Sequence, residues 1–147
     1  MADRESTAQP QALARVVVNV DGGARRNPGP AAVAAIVRDQ DGVILDQHSR
    51  TIGKATNNEA EYQAMLLGIE RAEKLGATRL DLIGDSELIV RQVRGEYKVK
   101  QPHLRPLRQA VVAALRAFDD WTIRNVPREQ NEDADRLVNE ALDAAGS

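Results

Sequence analysis

The chain has 147 residues, with 20 Lys and Arg against 22 Asp and Glu and a net charge of −2. That length supports a real hydrophobic core, and the near-balanced charge excludes a global basic field, so nucleic-acid contact requires a local patch. There is no Cys, and His occurs only as His48 and His103, which excludes disulfides, thiolate chemistry and a His-built zinc centre. No run is apolar enough for a membrane span or a signal peptide. The expectation is a soluble, cytoplasmic monomer with no membrane partner.

Residues 1–12 are polar and aperiodic, and read as a loose tail before one domain over 13–147. A β-branched strand follows and ends at Asp21. Next comes a turn rich in Gly and Pro, Gly22-Gly23-Ala24-Arg25-Arg26-Asn27-Pro28-Gly29-Pro30. A second strand over 31–38 and a third over 43–52 flank Gln40-Asp41-Gly42, a hairpin signal that makes the two antiparallel. A long helix begins after Thr56, with Tyr62, Met65, Leu66, Ile69 and Ala72 on one stripe and Gly76 closing it. A fourth strand covers 79–84, and a short helix over about 86–94 is ended by Gly95. A helix over 102–118 turns Leu104, Leu107, Val111, Ala114, Leu115 and Phe118 inward. A fifth strand covers 121–126 and a last helix 131–144. Three meandering strands followed by alternating helix and strand predict an α/β fold, a mixed sheet with helices packed on it.

Four acids occupy informative places in this frame. Asp21 and Asp85 end apolar strand runs, while Glu61 and Asp135 lie in the opening turns of helices. Strand ends and helix starts can converge on one sheet edge, and a carboxylate cluster there is a site for a hard divalent cation, Mg²⁺ or Mn²⁺. Neighbouring acids have simpler roles. Thr56 and Glu59 form a capping box, which accounts for Glu59 and leaves Glu61 capping nothing. Acids in a first turn complement the helix dipole, which suffices for Glu132 and Asp133. The stripe Ala134, Leu137, Val138, Ala141 sets Asp135 at its edge, within reach of a site over the sheet. Taken singly, Asp85 reads equally well as an N-cap and Asp21 as a turn residue.

The blocks Asp21 to Pro30, Thr56-Asn57-Asn58-Glu59-Ala60-Glu61-Tyr62, Gly84-Asp85-Ser86 and Asn131-Glu132-Asp133-Ala134-Asp135 resemble, in order and spacing, those of type 1 ribonuclease H, the subgroup without a long basic protrusion. The resemblance covers about residues 14–144. It implies a ribonuclease H-like fold, a five-stranded mixed sheet (three antiparallel strands, then two parallel ones) flanked by helices. It also implies an endoribonuclease that cuts the RNA strand of an RNA/DNA hybrid with little sequence specificity, leaving 5′-phosphate and 3′-hydroxyl ends. Chemistry would be two-metal hydrolysis with two Mg²⁺ ions, Mn²⁺ substituting. Asp21 would bridge both ions, Glu61 and Asp85 would serve the leaving-group side, and Asp135 the nucleophile side.

Substrate contacts follow from the same blocks. The Gly-rich turn lacks the Gly-Lys-Ser/Thr ending of a nucleotide loop, so Gly22 and Gly23 read as backbone that approaches a polynucleotide. By resemblance Asn27, Asn57 and Asn58 face ribose and phosphate, and Thr56 helps hold a phosphate of the DNA strand. An Asn amide both donates to and accepts from a 2′-hydroxyl, which separates RNA from DNA. Arg91, Arg94, Lys98, Lys100, Arg105 and Arg108 form a local basic stretch around Tyr97, with Glu96 its only acid. With Ser86, Lys98, Lys100 and Arg128 the expected contact set is complete.

Two departures qualify the resemblance. Many relatives carry a His just before the last acid, where this chain reads Val126-Pro127-Arg128-Glu129-Gln130; Arg128 can hold a phosphate but cannot act as a base near neutral pH. Glu87 stands where a Gln that contacts RNA is common, and a carboxylate there repels phosphate. Two rivals remain at this level: an integrase-like DNA nuclease of the same superfold, and a hybrid-binding module without catalysis. The Asn57-Asn58 pair speaks against the first, and the presence of all four acids against the second.

Overall fold

Side-chain alternation in the first strand decides which face of the sheet each residue meets. In this computed structural model, which describes residues 14–146, β1 spans Arg15–Ala24 and buries Val16, Val18 and Val20. The two-residue period turns Asn19 and Asp21 to the other face. The expected tail over 1–12 lies outside the described residues.

β1 does not end at Asp21. Its pairing with β2 (Gly29–Arg38) continues from Asp21↔Ala34 to Ala24↔Ala31, whereas its parallel pairing with β4 (Arg79–Gly84) stops at Asn19↔Ile83. Gly22 and Gly23 look like turn residues in sequence, but β2 still supplies partners for their backbone groups. Asp21 therefore sits inside a strand and just past the neighbouring one. β3 likewise runs longer than expected, Ile44–Ala55, because Gly29 and Pro30 pair with Ala55 and Lys54. The hairpin at Gln40-Asp41-Gly42 forms as expected, with Gly42 at φ +86° and Asp39 Oδ1 accepting from the N–H groups of Asp41 and Val43.

The sheet order is β3-β2-β1-β4-β5, with β5 at Asp120–Asn125. The pairings among β1, β2 and β3 are antiparallel, and those of β4 with β1 and β5 parallel, as expected. Helix α1 (Asn57–Lys74) is closed by Gly76 at φ +84°. Its buried stripe uses Leu67 rather than Leu66, which is only half-buried. Helix α2 (Glu87–Arg94) ends at Gly95 in the left-handed conformation. The expected helix over 102–118 is broken: a 3₁₀ turn at Pro102–Leu104 precedes α3 (Arg105–Leu115). Pro106 has no N–H to give to Pro102, so the chain tightens through Arg105 N–H instead and restarts with proline in the first turn. The last helix, α4, spans Glu132–Ala144.

Val16, Val18 and Val20 pack with Tyr62, Met65, Leu67 and Ile69 of α1, Ile89 and Val93 of α2, and Val111 and Leu115 of α3. On the opposite face Ala32, Ala34 and Ile36 meet Ala134, Leu137, Val138 and Leu142 of α4. Small alanines on β2 let helices approach both faces, giving three layers. Among the described residues, no helix is long and apolar enough to cross a membrane.

Candidate active site

Where β1 outruns β4, the sheet leaves a notch between the helix starts of α1 and α4. One carboxylate oxygen each from Asp21, Glu61 and Asp85 lie within 4.8 Å of one another there. Gly22 makes this possible: a Cβ on it would overlap the Ala60 carbonyl, so only glycine lets β1 touch the first turns of α1. The Gly22 backbone N–H faces the Glu61 carboxylate and favours its charged form. Asp135 comes within hydrogen-bonding reach of Asp21 from α4 and lines the same cleft, of about 510 Å³, with Gly23, Asn57, Arg128 and Asn139.

The electrostatics are those of a crowded, largely buried acid set. Asp21 is 4% exposed; burial first, then the Asp85 and Asp135 carboxylates, push its pKa up to about 8, against a smaller pull from Arg128. Burial, then Asp21 and Asp85, hold Glu61 well above the usual carboxylate range, while the Gly22 N–H and Arg128 oppose the shift. Carboxylates this close cannot all ionise without a cation. Hard oxygen donors at this spacing suit a divalent cation such as Mg²⁺ or Mn²⁺, so the residues present fit the metal that the fold implies.

Neighbouring groups separate into distinct tasks. Ser86 Oγ accepts from Ile89 N–H and caps α2, which frees Asp85 from the N-cap role. Thr56 and Glu59 complete the capping box in both directions, at 3.1 and 2.8 Å. Both the amide and the hydroxyl oxygen of Thr56 are therefore occupied, and only its hydroxyl proton remains to donate. Asp133 and Arg38 form an ion pair at 2.9 Å, so Asp133 does more than complement a dipole.

Residues 19–141 match the Reverse transcriptase-like family model. Ribonuclease HI of Halobacterium salinarum is 44% identical over 143 residues, covering 97% of this chain and 72% of that protein. The chain belongs to the type 1 ribonuclease H family. The crystal structure of RNase H1 from the same archaeon has a TM-score of 0.87 at 45% identity, covering 88% of this chain and 98% of that one. LC11-RNase H1, solved in complex with an RNA/DNA hybrid, has a TM-score of 0.85 at 39% identity, covering 90% and 99%. The Bifunctional protein Rv2228c of Mycobacterium tuberculosis is 44% identical over 132 residues; this chain covers 36% of its length.

Within this ribonuclease H fold seven of the ten expected contact residues line two clefts on either side of the α1 N-terminus, and Asn27, Thr56 and Ser86 line neither. Gly22, Gly23, Asn57 and Arg128 line the acidic one. Asn58, Lys98 and Lys100 line a second, of about 580 Å³, together with Leu88, Tyr97 and Leu104. Asn27 Oδ1 accepts from Asn57 N–H, and Asn57 Oδ1 from Ala24 N–H, so both side chains staple the β1–β2 loop to α1. The basic stretch is thinner than its sequence suggests. Arg94 donates to Ile123 O, Arg105 to Val99 O and Arg108 to Gln92 O, while Arg91 pairs with Glu87 and Glu96. Lys98 and Lys100 are exposed and without such partners among the described residues. Two residues escaped the sequence reading: Arg25, which ties the loop to Asn139 and Asp143 of α4, and Asn131, which reaches Asp85. Asn131 stands in a recognised block, but its partners are remote in sequence.

Proposed function

We propose that this chain hydrolyses the RNA strand of RNA/DNA hybrids endonucleolytically, with Asp21, Glu61, Asp85 and Asp135 as the residues that hold Mg²⁺. The observation that carries this reading is the meeting of three carboxylates from β1, α1 and the end of β4 within 4.8 Å, in a member of the ribonuclease H family. Bound there, two divalent cations would supply the Lewis acidity that activates water and stabilises the departing 3′-oxygen, with Mn²⁺ able to substitute.

The protein's own groups supply position and charge. Asp21, 4% exposed, is close to Glu61 and Asp85 and interacts with Asp135 as well, so it would hold cations jointly with each of them. Glu61 and Asp85 serve the leaving-group side, and Asp135 the side of the attacking water. Arg128 lies in the cleft where a phosphate oxygen would enter, and its guanidinium can hold that oxygen without taking a proton. The α1 N-terminus divides the two strands: ribose and phosphate of the RNA meet Asn57 and the Gly22-Gly23 backbone. The DNA backbone meets Asn58, Lys98, Lys100 and the Thr56 hydroxyl. Such contacts read backbone shape and 2′-hydroxyls, so sequence specificity is low. All four acids come from one chain, which supports action as a monomer.

The test is incubation of a labelled hybrid of ~16 base pairs with Mg²⁺, beside an all-DNA duplex and the Asp21→Asn and Asp135→Asn variants. RNA-strand cleavage by the unmodified chain, lost in both variants and absent on DNA, is expected. Absence of Mg²⁺-dependent RNA cleavage by the unmodified chain would sink the proposal.

A further inference from the structure

Asn131 is 2% exposed, yet its side chain caps nothing, although it sits at the N-cap position of α4. Its amide is spent elsewhere. Nδ2 donates to Val20 O at 2.9 Å and to Asp85 Oδ2 at 3.1 Å, and Oδ1 accepts from Asn19 Nδ2 at 3.0 Å. One side chain thus joins the backbone beside Asp21, the carboxylate of Asp85 and the start of the helix that carries Asp135.

The direction of these bonds is set in part from the surface. Asp133 Oδ2 can only accept, so it takes a hydrogen from Arg38 Nη2 at 2.9 Å. Arg38 can only donate, so Nη1 faces Asn19 Oδ1 at 3.2 Å. Asn19 must then offer Nδ2 to Asn131 Oδ1, and Asn131 must turn its own Nδ2 toward Val20 and Asp85. Two amides that are free to flip in isolation are held in one sense from both ends, by the charged pair at the surface and by the Val20 carbonyl and Asp85 carboxylate, which only accept.

We propose that Asn131 is a positioning residue for the metal site, and that Asp133, Arg38 and Asn19 act through it by fixing its amide orientation. An amide held on one carboxylate oxygen stops Asp85 rotating about its Cβ–Cγ bond, so its carboxylate is in place before a cation arrives. Hydrogen-bonding partners behind metal ligands commonly change affinity by about 10- to 100-fold. The inference rests on reading Asp21, Glu61 and Asp85 as metal ligands.

Calorimetric titration of Mg²⁺ into the full chain, without substrate, tests it. Asn131→Ala is expected to weaken Mg²⁺ binding by about 10-fold or more, to leave hybrid KM unchanged, and to recover kcat as Mg²⁺ is raised. Asn19→Asp keeps the size but sets an acceptor against Asn131 Oδ1, so the amide must either bear that repulsion or turn its oxygen against Val20 O and Asp85, and in both cases its hold on Asp85 is disturbed. Its added negative charge alone would favour a cation, so weaker Mg²⁺ binding in Asn19→Asp isolates the disturbed amide, even if Asn131→Ala does not fold. Binding within about two-fold of the unmodified chain in Asn19→Asp, or in a folded Asn131→Ala, overturns the inference. Absence of Mg²⁺ binding by the unmodified chain overturns the metal-site reading itself, and this inference with it.

Discussion

Gly22 and Ala60 meet backbone to backbone, with no room for a Cβ between them. This contact sets the distance between β1 and α1, and so between Asp21 and Glu61, each one residue away. Gly22→Ala must push α1 outward or twist β1. Overpacking of this kind costs about 1–3 kcal/mol, and a displacement of roughly 1 Å at a reacting centre costs on the order of 10²-fold in rate. Thermal unfolding and kcat at saturating hybrid, measured together, are expected to show a modest loss of stability beside a large loss of rate.

Asp21 makes the metal-free chain pH-sensitive in an unusual direction. Its pKa rises from 3.8 to about 8 on folding, so between those values the folded state holds a proton that the unfolded state has released. Its contribution to stability is therefore present below about pH 4 and is lost as pH rises toward 8. In EDTA, Asp21→Asn is expected to be more stable than the unmodified chain at pH 8, by on the order of 2 kcal/mol, with the gap closing toward pH 5. Mg²⁺ is expected to raise the melting temperature of the unmodified chain more than that of the variant. Equal melting curves at pH 8 in EDTA would contradict this account.

Glu59 and Glu61 are two residues apart and have separate tasks. Glu59→Gln keeps an acceptor for Thr56 N–H, since Gln also completes a capping box, and is expected to leave stability within about 0.5 kcal/mol and cleavage nearly unchanged. Glu61→Gln removes a charge from the acid cluster, with an expected rate loss on the order of 10²–10³-fold, the scale of losing one transition-state stabiliser. Single-turnover cleavage of the hybrid distinguishes the two; comparable losses in both would remove the division.

Lys98 and Lys100 are exposed and have no ion-pair or hydrogen-bond partner among the described residues, whereas the nearby arginines are engaged with the protein. Each Lys→Gln change is expected to raise hybrid KM and to lower the slope of log affinity against log salt by about 1, with kcat preserved. Hybrid binding over a KCl series in Ca²⁺ provides the measurement. An unchanged salt slope in the double variant would place the DNA strand elsewhere.

Much of this was legible in the chain itself because the signals are local. Apolar and β-branched runs bounded by turn residues, and stripes of period 3.6, located the five strands and the long helices among the described residues. The reciprocal spacing of Thr56 and Glu59 identified a capping box, and removing Glu59 from consideration singled out Glu61. Boundaries failed where non-local pairing overrode composition. The Gly22-Gly23 segment looks like a turn but is a strand because β2 runs beside it, and the helix over 102–118 breaks because Pro106 cannot donate to the preceding turn.

What the sequence determined alone is the inventory: which acids are left once caps and dipoles have taken theirs, and in what order the elements come. What only the tertiary structure decided is which of those groups meet. Asp21 stands beside Asp85 because β1 extends past β4 in parallel register, and beside Glu61 because Gly22 lets α1 close in. The same packing commits Arg94, Arg105 and Arg108 to backbone carbonyls and leaves Lys98 and Lys100 without a partner among the described residues. Asn131 finds Asp85 across 46 positions of chain. Hydrogen bonds and Coulomb forces act over a few ångströms of space rather than of sequence, so only the folded arrangement gives these residues their partners.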